Sequence, residues 1–200
     1  MINVRIVLDS VNMAKSRLTT FELTYPRFIH AEVMTHRIFS KNSSSSRAIP
    51  AKVMIDKVKN DPFIPMYWGE NKAGMQAGNT LSDEKIMACK YEWLAAAEDA
   101  VRHAEVLSGH GLHKQIVNRL LEPFSYITVI LSGTSFRNFF NLRCSSMAEP
   151  HLQTLAELMR TAYSECVPPE LRPHEWRLPF VTGSESDDMN DLIKKSVARC

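Results

Sequence analysis

The residues best suited to chemistry lie in Thr35-His36-Arg37-Ile38-Phe39-Ser40-Lys41-Asn42-Ser43-Ser44-Ser45-Ser46-Arg47. Two arginines and a lysine flank a run of hydroxyls. Phosphate recognition uses that mix: a planar guanidinium fork takes two oxygens, and hydroxyl and backbone N–H donors take the rest. A serine-rich turn after a helix can also form a nest of N–H groups that cradles an anion. His36, beside Arg37 at the expected end of a helix, can donate to a cofactor. The plain alternative is a solvated linker, the usual fate of serine runs. The embedded cations and the apolar flanks Ile38, Phe39, Ala48 and Ile49 weigh against it.

A second group follows later in the chain. Arg119-Leu-Leu-Glu-Pro123 precedes the β-branched run Tyr126–Leu131, the turn Ser132-Gly133-Thr134 and the stretch Asn138-Phe139-Phe140-Asn141-Leu142-Arg143. Asn138 and Arg143 are about 140° apart around a helix, so both can border one cleft without stacking. Arg119 and Arg143 can equally be helix-end arginines that satisfy the last carbonyls. His103, His110 and His113 have no carboxylate at ligand spacing, and glycines interrupt them, so no metal site is expected.

The elements that must position these groups read as follows. Val4–Leu8 and Thr19–Tyr25 are strands, and Phe28–Arg37 is a short helix. Residues 41–46 form a loop or tight turn. Helices are expected from Pro50 to about Val58, over Asp83–Leu107 with Gly109 or Gly111 as its cap, and over His113–Leu121. Residues 61–80, with Pro62, Pro65, Gly69, Gly74 and Gly78, form a long irregular connection; its Tyr67-Trp68-Gly69 and Gly74–Ala77 parts can cover a flat ring or simply pack. Tyr126–Leu131 is the clearest strand. Helices follow over Ser135–Arg143, His151–Cys166 and Asp187–Cys200, with a proline-rich excursion over 168–179. The last helix runs to Cys200 without a stop, which fits a frayed end or a chain that continues. The whole reads as one helix-rich α/β (α+β) domain, residues 1–200, around a small sheet.

Composition narrows the partners. A net charge of +2 over 200 residues argues against bulk nucleic-acid binding, so any anion site is local. The four cysteines form no CxxC pair and read as small buried hydrophobes with free thiols. With no leader-like or membrane-spanning run, the cytoplasm is the expected location and no membrane partner is expected.

Both segments resemble the flavin-dependent thymidylate synthase family. Its signature is written RHRxxSxNExSxR, and His36, Arg37, Ser40, Asn42, Ser45 and Arg47 stand in register with it. Thr35 replaces the first arginine, Ser43 the glutamate, and Glu32 a glutamine three residues before the motif. The second segment is similar to the family block RxxLP…YT…NARSLxNFLxLR, with Ser132-Gly133-Thr134 in place of the Asn-Ala-Arg turn along the cofactor. The likeness spans about residues 20–50 and 115–160. The family's Gly-His…Glu-His segment has no counterpart in these residues, and Ser196–Cys200 slightly resembles the start of its N-terminal stretch, which would fit a permuted or partial member.

The resemblance implies a mainly antiparallel sheet of thymidylate synthase-complementing type. It implies methylation of dUMP to dTMP with FAD as hydride carrier, methylenetetrahydrofolate as carbon donor and NADPH as reductant. Another pyrimidine nucleotide, hydroxymethylation, or a non-catalytic nucleotide-binding homologue are the alternatives. Thr35, His36, Arg37, Ser43, Ser132, Gly133, Thr134 and Asn138 would face the flavin. Glu32, Ser44, Ser45, Ser46, Arg47 and Arg119 would hold the nucleotide. Arg143 would bind and polarise the pyrimidine. A homotetramer with shared sites is implied as well.

Overall fold

A computed structural model describes residues 1–182, 185 and 188–200. The mainly antiparallel sheet expected from the sequence is present. Its strands are β1 (Asn3–Asn12), β2 (Arg17–Pro26), β3 (Ser40–Ser43), β4 (Tyr126–Gly133) and β5 (Glu170–Leu171). Their order is β3-β4-β2-β1-β5, and the short β1–β5 pair is parallel. Alternation along β2 puts Phe21, Leu23 and Tyr25 on one face, opposite Leu131, Val129 and Ile127 of β4. All six are essentially inaccessible to solvent. They form the main core with helices α1 (His30–Met34), α5 (Arg137–Arg143) and α6 (Pro150–Glu165). The other face is polar, with Thr24 opposite Thr128 and an Arg5–Glu22 ion pair.

Helices α2 (Ala51–Asn60), α3 (Asp83–Gly109) and α4 (Lys114–Val117), with the 3-10 segment Asn118–Phe124, enclose a second core around Met54, Val58, Ala104 and Leu121. Phe63 stands at the junction of the cores: its ring meets Phe28, Trp93, Tyr126 and His151. Helix α7 (Met189–Arg199) closes the described chain.

Several expectations are corrected. The segment 41–46 is not all loop, because Ser40–Ser43 pairs with β4 as an edge strand, and an edge tolerates a polar sequence. The helix expected over 28–37 is a 3-10 turn, Arg27–Ile29, followed by α1 alone. It stops at Thr35, whose hydroxyl donates to the Glu32 carbonyl at 2.6 Å. The helix expected over 113–121 is α4 running into 3-10 turns that contain Pro123, which cannot donate an N–H. Gly109 lies inside α3, and His110 caps it. The proline-rich excursion contains β5. The last helix begins at Met189; its expected start, Asp187, lies outside the described residues. The four cysteines are free thiols, only partly buried.

One buried ion pair ties the sheet to α6. Asp9, 5% exposed, accepts from the Arg17 guanidinium and from Thr19. Arg17 also donates to the carbonyls of Tyr163 and Cys166 and lies 3.6 Å over the Tyr163 ring. Burial works against the Asp9 charge, but the hydrogen bonds from Arg17 and Thr19 outweigh it and hold the carboxyl below its ordinary range.

Candidate functional site

Helix α1 ends beside the last turn of α5, and this meeting builds the first site. Lys41, from β3, donates its ammonium to the carbonyls of Met34 at 3.2 Å and His36 at 2.5 Å. A cation on the carbonyl end of a helix satisfies groups that have no helical partner. His36 is thereby fixed edge-on to Phe139, with ring centroids 4.9 Å apart. Arg143, at the end of α5, donates Nε–H to His36 Nε2 at 2.9 Å. It is therefore no helix-end arginine turned onto its own carbonyls. The bond requires a lone pair on Nε2, so the neutral ring carries its proton on Nδ1, where it can be donated. Burial first, then the charges of Arg143 and Lys41, push the His36 pKa below that of an ordinary histidine.

Arg143 also lines a cavity of about 680 Å³. Glu32 enters it from α1. The irregular connection walls it with Met66, Tyr67, Trp68 and the 75–78 turn, and Met147–Pro150 closes the far side. Burial, followed by repulsion from Glu149, raises the Glu32 pKa, while Arg143 opposes the rise. The Trp68 indole N–H is buried without a partner among the described residues. The connection thus both packs and frames a cavity of aromatic and thioether side chains with an arginine and two carboxyls.

The second site lies along β3 and the turn after it. Ser44 N–H donates to the Thr128 carbonyl at 3.0 Å, and Ser44 Oγ accepts from Thr128 N–H at 3.4 Å. Ser45 Oγ accepts from Arg47 N–H at 3.3 Å. Both hydroxyls accept, so their protons remain available to an anion. Arg47 is exposed, and its guanidinium has no hydrogen-bond partner among the described residues. Ser46 differs: it is buried, and its hydroxyl donates to Glu122 Oε1 at 2.7 Å. Glu122 also receives Arg27 at 3.0 Å and Arg119 at 3.1 Å. Burial disfavours its charge, but the Ser46 bond and the two arginines outweigh that and lower its pKa. Asn118 Nδ2 clamps the turn through the carbonyls of Ser46 at 2.7 Å and Ile49 at 3.0 Å.

The chain therefore brings Glu32, His36 and Arg143 together, and separately gathers the 43–47 turn and Arg119. Thr35, Arg37, Thr134 and Asn138 are exposed, and Ser43 is half-buried in β3. Ser132 is paired across the sheet with Thr20, their hydroxyls 2.8 Å apart. A Cβ on Gly133 would lie 2.7 Å from Phe39 Cδ1, so packing already accounts for that glycine. Sequence reasoning missed Arg27, Asn118, Glu122, Glu149 and His151. Of these, only Glu122 carried a local sign, its three-residue spacing from Arg119 next to Pro123. Among the described residues no group of three or more His, Cys, Asp or Glu is placed to hold a metal, and no helix is long and apolar enough to cross a membrane.

Comparison with known proteins agrees with this architecture. Among solved structures, the UMP/dUMP methylase PolB from Streptomyces cacaoi bound with 5-Br UMP is similar at 18% identity and a TM-score of 0.67, over 82% of this chain and 89% of that one. Its form bound with 5-Br dUMP gives 16% and 0.63, over 82% and 90%. The flavin-dependent thymidylate synthase ThyX from Helicobacter pylori, complexed with FAD and dUMP, gives 20% and 0.51, over 73% and 67%. These likenesses are of fold. No curated protein matches the sequence. The model of the thymidylate synthase complementing protein family matches residues 15–169, and the chain belongs to that family.

Proposed function

We propose that the protein is a flavin-dependent methylase of a uridine nucleotide. It converts dUMP to dTMP with FAD, methylenetetrahydrofolate as carbon donor and NADPH as reductant. The observation that carries this reading is the Arg143–His36 hydrogen bond at 2.9 Å, which joins both sequence segments beside one cavity. Support for the flavin comes from the donor set: the His36 Nδ1–H, the exposed Arg37 guanidinium, the Thr134 hydroxyl and the Asn138 amide suit an acceptor-rich ring edge and diphosphate. Bound FAD supplies hydride chemistry that no side chain here can supply.

The chain's own residues bind, orient and polarise. With Nε engaged by His36, Arg143 keeps its two Nη groups for adjacent acceptors on the pyrimidine edge. They stabilise negative charge as the ring carbon becomes nucleophilic. Ser44, Ser45 and Arg47 hold the 5′-phosphate. Arg119 adds charge to that site but shares it with Glu122. Ser46 shapes the turn. A homotetramer with shared sites and a cytoplasmic location belong to the same proposal.

UMP is the second substrate to test, favoured by the closer backbone likeness to PolB than to ThyX. The test is purification, a spectrum for oxidised flavin, and assay of dUMP and UMP side by side. Yellow protein that methylates one of them supports the proposal. Colourless protein that takes up no added FAD refutes it.

A further inference from the structure

We propose that His151 is a positioning residue that holds the irregular connection as a fixed wall of the Arg143 cavity and sets the carboxylate opposite Glu32. It rests on the reading of that cavity as the nucleotide site. His151 is 3% exposed, in the first turn of α6. Its Nε2 accepts the backbone N–H of Met66 at 3.0 Å. Its Nδ1–H donates to Glu149 Oε1 at 2.6 Å. One tautomer satisfies both bonds, so the ring is a two-ended connector. Phe28, Phe63 and Tyr67 contact it edge-on, with centroids 5.0, 5.6 and 5.2 Å away, and fix its orientation.

Each end of the connector reaches the cavity. Met66 opens the wall, and the next residue, Tyr67, is fastened to α6 through Thr154 at 2.9 Å. Beyond them the chain turns through Gly69, Gly74 and Gly78, with Met75 fully exposed. A further side-chain tie runs from Gln76 Nε2 to the Met147 carbonyl at 2.7 Å. At the other end, Glu149 caps α6 through Leu152 N–H at 2.8 Å and lines the cavity beside Glu32 and Arg143. The Met66 N–H bond to Nε2 is partly buried, and a donor that loses its acceptor there forfeits the bond, so the wall is expected to loosen when Nε2 is removed. The Arg143–His36 pair lies on other elements and would stay in place.

The experiment compares His151→Leu and His151→Gln in the FAD-loaded full chain. For His151→Leu we expect the KM for dUMP to rise about tenfold or more with kcat nearly kept, and trypsin cleavage after exposed Lys72 to accelerate by a similar factor. Glutamine offers an acceptor and a donor and should restore most of both. Wild-type cleavage and KM in His151→Leu overturn the proposal. So does equal loss of stability and apparent kcat in both variants at unchanged KM, the mark of a residue that only fills the core. Should His151→Leu not fold, amide exchange in the wild type decides: Met66 must exchange far more slowly than residues 71–77, and equal rates overturn the proposal. A wild type without nucleotide turnover defeats the functional reading, whereas cleavage and exchange still report on the wall.

Discussion

Arg143 and His36 are 107 positions apart, yet Arg143 Nε lies 2.9 Å from His36 Nε2. The guanidinium is held by its inner nitrogen, so its fork is aimed without being consumed. Lysine cannot reproduce this, because one ammonium cannot hold the imidazole and also meet two adjacent acceptors. Arg143→Lys is expected to cut turnover by about 10²–10³-fold, the usual scale for a donor aimed at charge that develops in the transition state. Nucleotide affinity should change much less, because the residues proposed to hold the phosphate lie elsewhere. Turnover and dissociation constant measured together check this; near-wild-type turnover would refute it.

The same bond makes His36 a reporter of pH. Its pKa is depressed, so the neutral form that accepts from Arg143 should persist below pH 6.5, the ordinary histidine value. Between the two pKa values the unfolded chain binds more protons than the folded one. The stability contributed by neutral His36 is therefore complete above about 6.5 and lost as pH falls toward the folded value. An NMR titration of the His36 ring should give a midpoint below 6.5, the ordinary histidine value. A midpoint at or above it would contradict the arrangement.

The two arginines proposed for the phosphate should differ. The Arg47 guanidinium has no hydrogen-bond partner among the described residues, so Arg47→Ala should weaken dUMP binding at least tenfold, the scale of a hydrogen bond to a charged group. Arg119 is 54% exposed and paired with Glu122, so Arg119→Ala should cost less. Deoxyuridine should bind all three proteins alike. Calorimetry with both ligands tests this, and equal binding of deoxyuridine and dUMP by the wild type would remove the phosphate assignment.

Arg17→Leu should destabilise the fold by about 3–5 kcal/mol, because it leaves the Asp9 carboxylate buried and unpaired. The Asp9 pKa is depressed by the pair, so the stability it contributes is present above the unfolded value of 3.8 and lost as pH falls through the folded one. The difference between wild type and variant in urea unfolding should accordingly shrink below about pH 4, in line with that value. A difference independent of pH would point to lost packing on Tyr163 instead.

How much of this was legible follows from how local each cause is. The β4 run and the long α3 were plain because β-branched residues and helical periodicity act within a few positions. Strand β3 was hidden: Ser40-Lys41-Asn42-Ser43 is a strand only because β4 offers it an edge. Arg143 and His36 were each visible as candidates, but their bond was not, since nothing near either residue encodes the other. Ser46 was indistinguishable from its neighbours until Glu122 and Asn118 closed over it. His151 looked like one polar residue among helix formers, and its importance came from a backbone N–H in a distant connection.

The second core has a consequence for how the chain folds. It draws on one continuous stretch, residues 49–124, inserted between β3 and β4. Pairing β2 with β4 joins residues a hundred or more positions apart, and closing so long a loop is entropically costly and slow. Once α2, α3 and the 3-10 segment have packed on one another, the ends of that stretch are already near each other. The loop from β2 to β4 then shrinks to residues 27–48 and Ser125, and the one from β3 to β4 to a few residues on either side. The helical insertion thus acts as a splint: it gathers early from local contacts and delivers β4 to its place between β2 and β3.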